Sequence, residues 1–146
     1  MFDAFADDNA DREALAQAHV HALAGACMAL GLRFAGTANG DARRALRTMT
    51  LRFLAMKAAA AAGKKLGELV DRPTLETCVC VSATALATVM AGTGDIDTFR
   101  VLRRLRLRLD RGRGHGANAA NAGMSAVLFV QLVSKVKTVV FLPSHS

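Results

Sequence analysis

The chain has 146 residues, of which 52% are hydrophobic and 5% aromatic, with neither Trp nor Tyr. This length has room for about one modest domain, which excludes a multidomain enzyme, and the apolar content excludes a disordered chain. The formal net charge of +7 permits acidic partners without specifying a fold. The charge is uneven, because residues 2–13 hold five acidic residues and one Arg whereas residues 100–113 hold seven Arg and one Asp.

The cysteines and the apolar runs of the chain indicate the cellular location of the protein. Cys27, Cys78 and Cys80 lie in apolar, small-residue stretches, which predicts buried free thiols in a reducing compartment rather than a disulfide framework. The acidic start lacks the positive region of a secretory signal. The apolar run 126–142 is interrupted by polar residues, so we predict no membrane span and an intracellular protein.

Helical periodicity predicts a first hairpin of two helices. Apolar residues recur at helical spacing from Glu13 to Phe34. The sequence AGTANGD at 35–41 then predicts a tight turn, since glycine supplies the backbone freedom that such a turn requires. A second helix follows to residue 62, where Gly63 and two lysines break the pattern.

A second hairpin repeats this plan. A third helix is predicted from about 71–74, where Pro73 is tolerated in the first turn, to Val89. The turn AGTGDID at 91–97 leads into a fourth helix with a leucine stripe. A weaker fifth helix is predicted over 117–133, followed at 136–142 by a strand-like or irregular tail.

The two hairpins align with an offset of 56 residues. Ala35-Gly36-Thr37 pairs with Ala91-Gly92-Thr93, and Asp41 pairs with Asp97. In the helices that follow, Arg44 and Arg47 pair with Arg100 and Arg103. We therefore interpret Gly36, Thr37, Gly92, Thr93 and Gly94 as turn residues, and Asp41 and Asp97 as N-terminal helix caps.

Repeated helical hairpins stacked side by side predict an all-α solenoid. The close packing would depend on small residues, namely Ala24, Gly25, Ala26, Ala29, Gly31, Ala83, Ala85 and Ala87. The predicted organisation has about two and a half repeats. Its parts are an acidic segment 1–11, repeat 1 at 12–62, an insertion at 63–73, repeat 2 at 74–113, a degenerate partial repeat at 114–133 and a tail at 134–146.

Three strings carry a family resemblance. AGACMALGLRFAGTAN at 24–39, LETC at 75–78 and ATVMAGTGD at 87–95 resemble the proteasome/cyclosome repeats of the largest scaffold subunit of the anaphase-promoting complex. The likeness covers 12–113. It implies a helical solenoid that closes toward a ring and a non-catalytic platform in a multisubunit ubiquitin ligase of the cell cycle. The implied partners are the complex's other subunits and further repeats, in the nucleus and cytoplasm. Because that subunit is far longer, we expect this chain to be a fragment, a partial gene model or a truncated paralogue.

No enzymatic site is predicted. Cys78 and Cys80 are too close for the usual zinc pair and have no second pair, and His19 and His21 fall on different helix faces. The glycine turns lack the Gly-Lys-Ser/Thr ending of a phosphate loop and follow helices rather than strands. We identify no catalytic, cofactor-binding or metal-ligating residue.

A basic helix face is the main competing signal. Arg103, Arg104, Arg108 and Arg111 form a possible interaction face, which suits acidic protein surfaces or nucleic-acid phosphates. The helix lacks the interleaved aromatic residues used for base stacking, which disfavours nucleic acid. Two alternatives to the anaphase-promoting complex scaffold stay open. One is a proteasome regulatory-particle scaffold, which the quoted strings disfavour, and the other is a basic nucleic-acid-binding helical module.

Overall fold

The computed structural model describes residues 4–62 and 69–110, with side chains described for 10–62 and 69–105. These residues form α1 (Ala4–Arg33), α2 (Gly40–Ala61), α3 (Arg72–Val89) and α4 (Ile96–Asp110). Every regular element in these ranges is helical, which confirms the predicted all-α fold class. The predicted fifth helix at 117–133, the stretch 136–142 and Arg111 lie outside the described residues.

Helix α1 begins earlier than the periodicity predicted. The predicted start was Glu13, but α1 runs from Ala4 and takes up most of the acidic segment 1–11. The residues of this segment explain the difference, because alanine favours helix and acidic residues are favoured near a helix N-terminus by the helix dipole. The predicted boundary followed the apolar pattern, and that pattern is absent from 4–12.

Helix α3 is the central element of the described fold. It packs extensively against α1 and α2, whereas α1 and α2 touch each other only slightly. Its apolar residues explain this position, since Leu75, Val79 and Leu86 are almost completely buried. From α2, Leu46 and Phe53 complete the core. A helix that is apolar on most sides is stable only when other helices cover it.

A close approach fixes the crossing of α1 and α3. Gly31 of α1 is buried, and a Cβ atom added to it would lie 2.7 Å from both Cα and Cβ of Ala85. Real Cβ contacts do not come this close, so the two backbones pack together only because residue 31 has no side chain. The crossing therefore depends on glycine at this position.

A polar pair lies in the interface between α2 and α3. Thr50 and Ser82 are both buried, and the Thr50 hydroxyl lies 3.1 Å from the Ser82 Oγ. The Ser82 hydroxyl donates to the Val79 carbonyl, and the single proton of the Thr50 hydroxyl has both the Leu46 carbonyl and the Ser82 Oγ within hydrogen-bonding distance. Their hydrogen-bonding needs are thus met inside the core, which avoids the cost of unpaired buried polar groups.

Residues 10–33 of α1 are long and apolar enough to cross a membrane, judged by length and composition alone. A core helix of a soluble protein passes the same test. Val20, Ala24 and Cys27 belong to the buried core shared with α3. The apolar character of one side of α1 is thus accounted for by packing within the chain.

Candidate functional site: the interhelix turns and the arginine cleft

The two interhelix turns have the same backbone shape. Turn 1, residues 34–39, follows α1, and turn 2, residues 90–95, follows α3. Gly36 has φ +67° and the aligned Gly92 has φ +86°, while Ala38 at φ 55° aligns with Gly94 at φ 65°. Positive φ strongly favours glycine, which explains three of these four residues. Ala38 is the exception and adopts the same shape at a cost in backbone strain.

A threonine stabilises each turn in the same way. The Thr37 hydroxyl donates to the Phe34 carbonyl at 2.8 Å, and the Thr93 hydroxyl donates to the Met90 carbonyl at 2.8 Å. Each threonine oxygen also accepts from the backbone N–H two residues later, at 3.3 Å in turn 1 and 3.2 Å in turn 2. The shared Gly-Thr sequence therefore specifies one hydrogen-bonded turn twice.

The helix caps differ from the predicted ones. Asn39 caps α2, since its Oδ1 accepts from the N–H of Ala42 at 2.9 Å. Asp95 caps α4, since its Oδ2 accepts from the N–H of Thr98 at 3.0 Å. The prediction that Asp41 and Asp97 cap these helices is wrong by two positions.

The reach of a capping side chain explains why Asn39 and Asp95 cap these helices and Asp41 and Asp97 do not. A capping side chain precedes the helix and accepts from N–H groups two or three residues later. Asp41 and Asp97 already lie in the first helical turns, where they form ion pairs with Arg44 and Arg100. Sequence identity between the repeats drew attention to these two aspartates, whereas the true caps are a chemically similar Asn and Asp.

Asp95 also connects the two hairpins. Its Oδ2 accepts from the Thr98 hydroxyl at 2.6 Å and lies 3.3 Å from Nη1 of Arg43 in α2. The Thr98 hydroxyl and N–H, together with Arg43, hold the pKa of this carboxyl below its usual value despite partial burial. The cap is therefore charged at neutral pH and ties α4 to α2.

Turn 1 closes the C-terminal end of α3. The N–H of Gly36 donates to the Thr88 carbonyl at 2.9 Å, and the N–H of Ala38 donates to the Val89 carbonyl at 3.1 Å. The last carbonyls of a helix have no N–H donor within that helix. The Thr88 carbonyl also accepts from the N–H of Ala91 at 3.3 Å, and turn 1 adds the two donors from the first hairpin. Backbone hydrogen bonds therefore join the two hairpins.

The strain at Ala38 gives a test of the turn geometry. We expect Ala38→Gly to stabilise the chain by about 1 kcal/mol, because glycine removes the cost of positive φ. The reciprocal change Gly92→Ala should destabilise it by about 1 kcal/mol, since nothing lies within 4 Å of the added Cβ and only the backbone is strained. Urea denaturation measures both. Shifts in the same direction for the two variants would contradict the assigned geometry.

A cleft between α2 and α4 carries the basic residues. Its lining consists of Arg43, Arg44, Arg47, Leu86, Asp97, Thr98 and Val101, which we call the arginine cleft. The sequence had singled out Arg103 and Arg104, which are exposed on α4. The side chain of Arg108 and all of Arg111 lie outside the described part of the chain. The arginines of α2 were missed as a site, although their repeat alignment with α4 was visible in the sequence.

The described thiols do not have the properties of nucleophiles. Burial raises the pKa of Cys27, Cys78 and Cys80, and in Cys78 the value reaches about 11. These groups are therefore protonated at neutral pH, whereas a reactive cysteine has a lowered pKa. Among residues 10–62 and 69–105, no group of three His, Cys, Asp or Glu side chains is placed to hold a metal ion.

The described residues thus define a class: an all-helical protein of two similar helical hairpins, which are joined by backbone hydrogen bonds from turn 1 to the end of α3. A family model described as the APC1 fifth domain matches residues 2–132, and the chain belongs to this family. The family resemblance of the three strings is thereby confirmed.

Several curated proteins are similar to this chain. The "Anaphase-promoting complex subunit 1" of Arabidopsis thaliana is 45% identical over 101 residues, covering 65% of this chain and 6% of that protein. The Homo sapiens protein of the same name is 39% identical over 93 residues, covering 64% and 4%. The "Negative regulator of mitosis" of Emericella nidulans is 40% identical over 83 residues, covering 57% and 4%. The chain thus spans about a twentieth of the length of these relatives.

Proposed function

We propose that this chain is a non-catalytic scaffold segment of an anaphase-promoting complex, the multisubunit ubiquitin ligase of the cell cycle. It works through the packing of helical repeats and through contacts with other subunits. The observation that carries the proposal is the junction between the hairpins, where the amides of Gly36 and Ala38 bond the carbonyls at the end of α3. Such a junction serves to fix the relative position of successive repeats. The names of the relatives and the family membership support the assignment to this complex.

The outer face of α1 supports a longer array. Ala22, Gly25 and Ala29 are exposed on this face, and no atom lies within 4 Å of a Cβ built on Gly25. The residues aligned with Ala22 and Ala29 are Cys78 and Ala85 of α3, which are buried and face α1. The outer face of α1 therefore corresponds to the face of α3 that α1 covers. We infer that a helix of a further repeat covers it in the full-length protein.

The division into repeats follows from the same reasoning. We assign repeat 1 to 12–62 and repeat 2 to 74–113. The shared order of helix, Gly-Thr turn and helix supports this division, although α1 begins at Ala4 and α3 at Arg72. The partners proposed are the remaining repeats and the other subunits of the complex, in the nucleus and cytoplasm. Stacked repeats distribute stability over neighbouring units, so the proposed role needs packing surfaces rather than a catalytic site.

Purification of the tagged full-length protein from its own cells tests this proposal. We expect mass spectrometry to find anaphase-promoting complex subunits with the wild-type protein and with the control Gly40→Ala, a residue of α2 whose added Cβ meets no atom within 4 Å. Gly31→Ala, which disturbs the crossing of α1 and α3, should lower their recovery relative to the tagged protein. Recovery of proteasome regulatory-particle subunits, or of no other subunit, would contradict the proposal.

A further inference from the structure

The arginine cleft combines a basic wall with an apolar base. Arg43, Arg44 and Arg47 line it from α2, while Val101 and Thr98 line it from α4. Leu86 of α3, itself almost completely buried, also contributes to the lining. The cleft is shallow and open to solvent, with about 40 Å³ of space inside it. It therefore has room for the end of one side chain of a bound peptide, but not for a cofactor buried on all sides.

Ion pairs within the chain leave part of this basic charge unbalanced. Arg43 pairs with Asp95, and Arg44 pairs with Asp41. Arg47 makes no ion pair with any side chain in the described ranges. Arg103 of α4, the residue that aligns with Arg47 in the second repeat, likewise makes no ion pair with the described side chains. Asp95 and Asp41 occupy donors of Arg43 and Arg44, while the guanidinium of Arg47 keeps its hydrogen-bond donors for a ligand.

We propose that the arginine cleft binds an acidic segment of a partner protein, with a carboxylate on Arg47 and an adjacent apolar side chain against Val101. A guanidinium matches a carboxylate with two parallel hydrogen bonds, which gives the contact both strength and direction. The apolar lining then selects acidic segments that also carry an aliphatic residue. The net positive charge of the chain favours the approach of such a segment.

The cleft fits a protein partner better than nucleic acid. Asp97 lines the cleft, and Asp41 and Asp95 are bonded to its arginines, so a continuous phosphate backbone would meet three carboxylates. No aromatic residue is among the described residues of the lining, so these residues offer bases no stacking surface. A peptide with few carboxylates can place one of them at Arg47 without bringing another close to Asp41, Asp95 or Asp97.

Binding of a synthetic peptide to the purified 146-residue chain tests the inference. The probe is a fluorescent peptide that carries one glutamate next to one leucine among serines, measured by anisotropy at about 50 mM salt, where charge screening is weak. We expect Arg47→Glu to weaken binding about tenfold, the loss typical of one charge-assisted contact. Arg52→Glu makes the same charge change on an exposed residue of α2 outside the cleft and should weaken it less than about twofold. Circular dichroism confirms that both variants keep their helices.

The remaining outcomes decide against the proposal. Equal loss in the two variants would show binding to the overall charge rather than to the cleft. No loss when serine replaces the peptide's leucine would remove the role of Val101. Tighter binding of single-stranded DNA, lost in Arg47→Glu, would assign the cleft to nucleic acid, and no binding of either probe would remove the site. None of these results bears on the scaffold role, which depends on packing between repeats.

Discussion

Gly31→Ala is expected to destabilise the chain by about 2 kcal/mol, although alanine favours helix over glycine. The added Cβ would lie 2.7 Å from Cα and Cβ of Ala85, and 3.1 Å from the Ala85 carbonyl oxygen. Two of these three atoms belong to the backbone, so no side-chain rotation relieves the contact. The helices α1 and α3 must separate, which loosens the most extensive interface of the described fold. Urea denaturation monitored by circular dichroism measures the loss.

Gly25→Ala is the matched control for this prediction. Gly25 lies on the same helix, but nothing is within 4 Å of its built Cβ. The same substitution should therefore stabilise the chain by up to about 1 kcal/mol through helix propensity alone. If both variants were stabilised equally, the close approach of α1 and α3 at Gly31 would be refuted.

Glu76→Gln is expected to cost about 2 kcal/mol at neutral pH, because it breaks the ion pair that links α2 to α3. The Glu76 Oε1 lies 2.7 Å from Nζ of Lys57 and 3.2 Å from Nε of Arg72. The side chains of Lys57 and Glu76 are each only 16% exposed. Glutamine leaves the largely buried ammonium of Lys57 with a neutral partner, which does not offset its desolvation.

The loss should depend on pH in a defined direction. Burial alone would raise the pKa of Glu76, but hydrogen bonds and charge attraction from Lys57 and Arg72 lower it below its ordinary value of 4.5. A carboxyl with a lowered pKa in the folded state contributes stability above its unfolded-state pKa. This contribution disappears as the pH falls through the folded-state pKa. The difference between wild type and Glu76→Gln should therefore shrink from pH 7 toward pH 3.

Asp41→Asn supplies the comparison for the ion pair. Asp41 pairs with Arg44, but their side chains are 87% and 78% exposed, so this variant should change the free energy of unfolding by less than about 0.5 kcal/mol. Urea denaturation of the three proteins at several pH values measures both effects. A Glu76→Gln loss that is as large at pH 3 as at pH 7 would contradict the assigned role of the carboxylate.

The local features of the fold were predictable from the sequence, since they depend on neighbouring residues. Helical periodicity and the Gly-Thr motif located the helices and placed Gly36 and Gly92 at the turns, where the backbone has positive φ. The caps were misassigned because the prediction used identity between the repeats, and the capping residues, Asn39 and Asp95, are not identical.

The contacts between hairpins were not predictable from one sequence. Arg43 and Asp95 are far apart in the chain, and so are Lys57 and Glu76, so neither pair produces a spacing pattern. Gly31 stood among several small residues with the same apparent role. Only the crossing geometry distinguishes it from Gly25, which has open space around it.

The junction between the hairpins is tested most directly by amide hydrogen exchange of the purified chain, followed residue by residue with NMR. The account predicts slow exchange at Gly36 and Ala38, whose N–H groups donate to the Thr88 and Val89 carbonyls. Gly40 begins α2, where an N–H has no acceptor within its own helix, and should exchange rapidly. Exchange at Gly36 and Ala38 as fast as at Gly40 would show that turn 1 does not hold the end of α3, and would contradict the stacked-repeat architecture.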